Sequence, residues 1–180
     1  MDKTLISVPL TDLATGDREG LGSIFRRDGK VYRWVKNAGA TALVRDGCCL
    51  TMITSVEGNA FKRVKSPDGA GAKTAPLTMP AGVPMSNIGA SGSNTGAYGW
   101  IQVAGPRKVS IIGTGADSAI GYIAVATSQQ PATAPWASPL APTADSGSTA
   151  YAYAKKVVVL SPVSDEAATA DSAIVDIQCL

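Results

Sequence analysis

The sequence has no histidine. That removes the commonest general base and metal ligand, and with them any Ser/His/Asp or Cys/His relay. Charged residues make up only 17% and aromatic residues 6%. So little charge disfavours a charge-rich disordered chain. A helical bundle would need Leu, Glu and Lys at regular spacing, which is absent. The longest strongly apolar run is residues 157–160 (VVVL). It falls far short of the ~20 residues of a membrane helix. The first 13 residues hold no apolar stretch of signal-peptide length, so a soluble chain without a secretion leader is expected. The cysteines number three, Cys48, Cys49 and Cys179. An odd count with two adjacent is no disulfide framework. Neighbours on a strand point to opposite faces, which makes Cys48 and Cys49 poor joint metal ligands. They read as buried small apolar residues of a protein assembled in reducing cytosol.

What is present is small. There are 28 Ala, 19 Gly and 11 Pro among 180 residues, a length that suits a single domain. Folding at this size hides roughly 70% of the unfolded surface, so a real core is possible. Net charge is +2, too little for a chain-wide nucleic-acid or anionic-membrane signal. The charge is uneven. Residues 1–65 carry 11 Lys/Arg against 7 Asp/Glu, whereas residues 121–180 carry 2 against 5. Basic groups cluster as Arg26, Arg27, Lys30, Arg33 and Lys36, then Lys62, Arg63 and Lys65. A solvated strand face is the plainest reading, followed by a surface for an acidic protein and then a phosphate patch. The asymmetry also suits subunits packed basic edge to acidic edge.

Turn signals divide the chain into short strands. Asp28-Gly29 between residues 23–27 and 30–36 predicts a two-residue hairpin. In the second arm Val31, Arg33 and Val35 alternate with Tyr32, Trp34 and Lys36, as on a half-buried strand. Asp46-Gly47 predicts a turn before a strand at 48–54. Asp68-Gly69 predicts another after 61–65. A strand near 77–88 contains Pro80 and Pro84, which confine it to an edge or to irregular structure. Residues 98–103 read as a strand turned by Gly105-Pro106 into a return strand at 108–112. Further strands are expected at 121–127, 151–160 and 174–180, with one helical turn at 164–170 capped by Ser164. Residues 128–149 form a Pro/Ala/Ser/Thr-rich loop around Trp136, and residues 1–19 an N-terminal arm. The expected fold is therefore all-β: one compact β-sandwich or β-barrel of about nine to eleven short strands with little helix.

No motif carries chemistry. Residues 68–74 resemble a phosphate loop only briefly, since Ala72 and Pro67 stand where glycines are needed. Gly89, Gly92, Gly96 and Gly99 precede a strand instead of opening a helix, and read as a flexible connector. The carboxylates Asp117, Asp145, Asp165, Glu166, Asp171 and Asp176 are scattered near turns. Trp34 and Trp100 read as core or sheet-face anchors. Trp136 is either a plug into its own domain or an anchor into a partner.

At two places the sequence resembles tailed-bacteriophage head decoration proteins, also called capsid cement proteins. One is GDREGLGSIFRRDGKVYRWVKNAGATAL, residues 16–43. The other is GAYGWIQVAGP, residues 96–106, leading into KVSIIGTGADSAIGYIAVA. These are strand signatures covering about half the chain. The long segment around Trp136 and the Cys48-Cys49 pair depart from the pattern. The resemblance implies a non-enzymatic virion protein on the capsid exterior, assembled in the host cytoplasm. It implies a homotrimer that binds the major capsid protein and holds the shell against the pressure of packaged DNA. Neither cofactor nor metal is expected, nor direct contact with nucleic acid or membrane. Partner contact is expected from Leu5, Val8 and Leu10 on the arm, from Arg26 and Arg27 on the hairpin, and from Trp136.

Other readings make distinct demands. A tail, fibre or host-attachment component would be present in fewer copies. A glycan hydrolase would need two carboxyl groups roughly 5–9.5 Å apart in a cleft. A nucleic-acid-binding barrel would use Arg26, Arg27 and Arg33 with Tyr32 and Trp34 as stacking platforms.

Overall fold

The structure, a computed structural model, describes residues 2–47, 49–51, 62–66, 80–112, 123–126, 136–137, 156–159 and 170–179. The strands are β1 (Asp2–Lys3), β2 (Ile24–Arg27), β3 (Lys30–Asn37), β4 (Cys49–Thr51), β5 (Arg63–Lys65) and β6 (Pro80–Pro84). They continue with β7 (Tyr98–Ile112), β8 (Ile123–Ala126), β9 (Trp136–Ala137), β10 (Lys156–Val159) and β11 (Ala170–Gln178). No helix occurs among the described residues. The described residues are strand-rich, and their strands join in one mixed sheet of order β1-β2-β3-β5-β4-β6-β7-β11-β10-β8-β9. Two further pairings, β3 with β7 and β7 with β9, link distant members of that order.

The predicted hairpin is present. Arg27 pairs with Lys30, and Asp28 and Gly29 both take positive φ, 51° and 72°. Both central residues of a type I′ turn need that backbone, which Gly adopts freely and Asp tolerates. Asp46 also has positive φ, 60°, and Gly47 N–H closes the second turn on the Val44 carbonyl.

β3 is not half-buried. Val31 and Val35 enter one apolar cluster with Val83, Ile101, Val103, Val175 and Ile177. Tyr32 and Trp34 enter a second cluster with Val8, Phe25 and Trp100. Alternation along β3 therefore distributes its side chains between two covered faces.

Gly105-Pro106 does not turn the chain. β7 runs on through it for 15 residues, and β11 pairs along 104–112 without a break. Gly105 absorbs the irregularity with φ 93°. The buried Gln102 amide donates to the carbonyls of Ala104, Gly105 and Pro106 at 3.2, 3.0 and 3.2 Å. Those contacts bring a buried side-chain donor to the carbonyls of the Gly-Pro segment.

β6 is an interior strand, paired with β4 on one side and β7 on the other. Its prolines stand at its two ends, and a register shift opposite Cys49 and Leu50 marks it as irregular. The glycine-rich stretch at 89–99 is a packed turn, not a loose connector. Gly89 N–H bonds the Gly96 carbonyl, and Ser91 N–H bonds that of Gly39. In β11, Val175 and Ile177 are buried while Ile174 and Gln178 are exposed, as the alternation requires. Cys49 and Cys179 are buried. Cys48, the turn at 68–69 and the helical turn at 164–170, save Ala170 in β11, lie outside the described residues, as does most of 128–149.

Candidate functional site

The N-terminal arm and the basic hairpin form one surface. β1 lies parallel on β2, with Asp2 opposite Ile24 and Lys3 opposite Phe25. After β1 the arm crosses the aromatic cluster. Val8 is buried in it, and Ile6 and Leu10 pack against it half-buried. The Trp100 indole N–H donates to the Val8 carbonyl at 3.0 Å.

The turn at 16–22 clasps this arm from beneath. Asp17 accepts from Gly20 N–H, Leu21 N–H and the Trp34 indole N–H, at 2.8, 2.9 and 3.0 Å. Two residues on, Glu19 points to the arm. Its Oε1 accepts from Ser7 N–H, Ser7 Oγ and Val8 N–H at 2.6, 2.8 and 2.6 Å. Its Oε2 pairs with the Lys3 ammonium at 2.6 Å. The Glu19 side chain has 0% exposure. Burial works against its charge, but Lys3 and the donors of Val8 and Ser7 outweigh burial, leaving the carboxyl below its ordinary pKa.

Of the expected contact residues, Leu5 is 85% exposed, and Arg26 and Arg27 are exposed. Val8 is not a surface residue, because its side chain and carbonyl both serve the arm's own packing. Trp136 stands apart. Its backbone pairs with Ile111 and Ala126 in a two-residue strand, not a loop, beyond the reach of the hairpin's pairing on β7.

Local acids answer the basic groups. Arg26 Nε meets Asp2 at 3.3 Å and Arg27 Nε meets Asp28 at 3.2 Å. Lys36 lies over the Tyr98 ring, 5.5 Å from its centroid. Arg33 turns inward. Its Nη1 is buried without a hydrogen bond, and burial lowers its pKa against the opposing pull of Cys179 and Cys49. Tyr32 and Trp34 are 6% and 0% exposed, so neither offers a stacking platform for bases.

Four polar or charged residues are buried among those described: Glu19, Ser23, Asn37 and Gln102. Each bonds to backbone. Ser23 Oγ donates to the Glu19 carbonyl at 2.7 Å. The Asn37 amide donates to Thr41 and Gly89 carbonyls at 2.8 and 2.9 Å and accepts from Gly39 N–H. No group of three or more His, Cys, Asp or Glu among the described residues is placed to hold a metal ion. Sequence reasoning missed Asp17, Glu19, Asn37 and Gln102. In the sequence residues 1–19 read only as an arm, and nothing local identifies what Asp17 and Glu19 hold.

No protein-family model, curated protein or solved structure matches this chain.

Proposed function

We propose that this chain is a structural virion protein that binds the outer surface of an assembled phage capsid and stabilises it against internal pressure. The resemblance of residues 16–43 and 96–106 to decoration proteins suggests the class. The observation that carries the reading to a surface is Leu5, an 85% exposed leucine on an arm bonded down on both sides of it. An apolar side chain on an arm anchored in this way loses little freedom when a partner covers it. Weak contacts of this kind, repeated around a shell, act by avidity.

The body suits a clamp. β3 is covered on both faces, and the buried polar side chains bind backbone. We read the pairings of β3 with β7 and of β7 with β9 as two barrel-like closures that share the long β7. The partner is the major capsid protein, and the working unit is a homotrimer on the capsid exterior.

Mass in solution together with copy number on the particle tests this. A trimer, present in hundreds of copies per head, is the expected result. A few copies per particle would assign the chain to a tail, fibre or attachment component instead.

A further inference from the structure

We propose that residues 2–12 are a detachable strap, keyed by the Glu19 carboxylate, that covers the aromatic face of β3 and β7. This goes beyond capsid binding and does not rest on it.

The strap is held differently from the rest of the chain. Residues 4–13 belong to no strand. At the N-terminal end the strap has a two-residue parallel pairing with β2. Past its other end, Ala14 exchanges two backbone bonds with Tyr98, each 3.1 Å. Between these points few side-chain bonds join strap to body. Lys3, Ser7 and Val8 all donate to Glu19, and the Val8 carbonyl accepts from Trp100. With the exposed Arg26–Asp2 contact these make six, and one carboxylate holds four of them.

Beneath the strap lies a separate structure. Trp34 and Trp100 sit in β strands of the main sheet, and Trp34 is tied to Asp17, not to the strap. Phe25 and Tyr32 extend the same cluster, with ring centroids 6.2 Å apart. The sheet behind is packed on its opposite face by the other apolar cluster. Loss of the strap would bare aromatic rings but leave that second core in place. Local opening of this kind follows where a segment has few backbone bonds and a cooperative unit lies behind it.

The charge at the key is simple. Among the described residues Lys3 is the one charged partner bonded to the Glu19 carboxylate, while Ser7 and Val8 bring neutral donors. Asp17 and Arg18 flank it on its own turn, and Asp17 is engaged with Gly20, Leu21 and Trp34. An amide at position 19 would lose the charge and the Lys3 pair: with its one oxygen kept on Ser7 and Val8, its NH2 would face the Lys3 ammonium, donor against donor.

Residue-resolved amide hydrogen exchange on the full chain at neutral pH tests this, comparing wild type with Glu19→Gln. Expected is at least a tenfold faster exchange at Ser7 and Val8. Amides of β3 and β7, including those of Trp34 and Ile101, should change less than twofold. Unchanged protection at Ser7 and Val8 would overturn the proposal, because Glu19 would then not be the key. A matching rise in β3 and β7 would also overturn it, because the strap would then belong to one cooperative unit. Should Glu19→Gln fail to fold, Lys3→Met decides. It leaves the carboxylate and three of its bonds, so a smaller rise confined to the strap supports the proposal, and a uniform rise or none overturns it.

Discussion

Trp34 and Trp100 are direct register partners on β3 and β7, and their rings meet edge to face, 5.3 Å between centroids and 62° between planes. The pair joins the two stretches that carry the resemblance to decoration proteins. Each indole is also fixed by its N–H, one on Asp17 and the other on the Val8 carbonyl. These tryptophans are thus structural joints between turn, strap and sheet.

Removing one should be costly. Trp100→Ala is expected to lower stability by about 3–5 kcal/mol, the usual range for a buried Trp truncation. Trp100→Phe keeps part of the ring but strands the Val8 carbonyl, at about 1–3 kcal/mol. Urea denaturation followed by circular dichroism reads both.

Gly82 and Gly29 should respond differently to the same substitution. Gly82 has φ 146°, and a Cβ there would collide with the Gln102 carbonyl oxygen across the β6–β7 pairing. Gly82→Ala is expected to cost on the order of 3 kcal/mol. Gly29, at φ 72°, has open space around it, so Gly29→Ala carries only the left-handed backbone penalty of about 1–2 kcal/mol. Equal losses in denaturation midpoint would contradict this assignment.

Local features of the sequence were legible. Asp28-Gly29 specified a hairpin because its turn chemistry is complete within two residues. Alternation in 174–179 was legible because one face is buried and the other is not. Gly105-Pro106 misled, because β7 passes through the pair in unbroken register with the distant β11, and the Gln102 amide bonds its carbonyls. Asn37 was equally hidden, since it bonds the carbonyl of Gly89, 52 residues away. In the candidate surface, Leu5, Arg26 and Arg27, expected at a partner contact, are exposed, whereas Val8 is buried and its backbone held by a carboxylate and an indole that no local pattern reveals.

Stability should fall at both ends of the pH scale for separate reasons. Glu19 has a folded pKa below its ordinary value, 4.5. Its contribution is complete above that value and is lost as pH falls through the lower, folded one. Burial raises the Tyr32 pKa above its ordinary value of 10.0, with Arg107 partly offsetting it. The unfolded chain then releases its proton first, so stability declines as pH rises from 10 toward the folded value. Midpoints against pH should flatten at the acid end in Glu19→Gln and at the alkaline end in Tyr32→Phe.

Cys49 should be unreactive in the folded protein. It is fully buried, burial raises its thiol pKa well above the ordinary value, and Cys179 adds to the rise against Arg33. Iodoacetamide at pH 8 is expected to leave Cys49 unmodified until denaturant is added. Peptide mapping checks this and separates Cys49 from its neighbour Cys48. Rapid labelling without denaturant would contradict it.

Leu5→Asp should leave the fold alone. The side chain is 85% exposed, so stability is expected within about 0.5 kcal/mol of wild type. Its effect belongs to partner binding.

The most direct test of the proposed capsid role is co-sedimentation of the purified chain with emptied, expanded phage heads. Saturable binding at many sites per head, weakened at least tenfold by Leu5→Asp, is the predicted result. Wild-type protein that stays in the supernatant at saturating concentration would contradict the account.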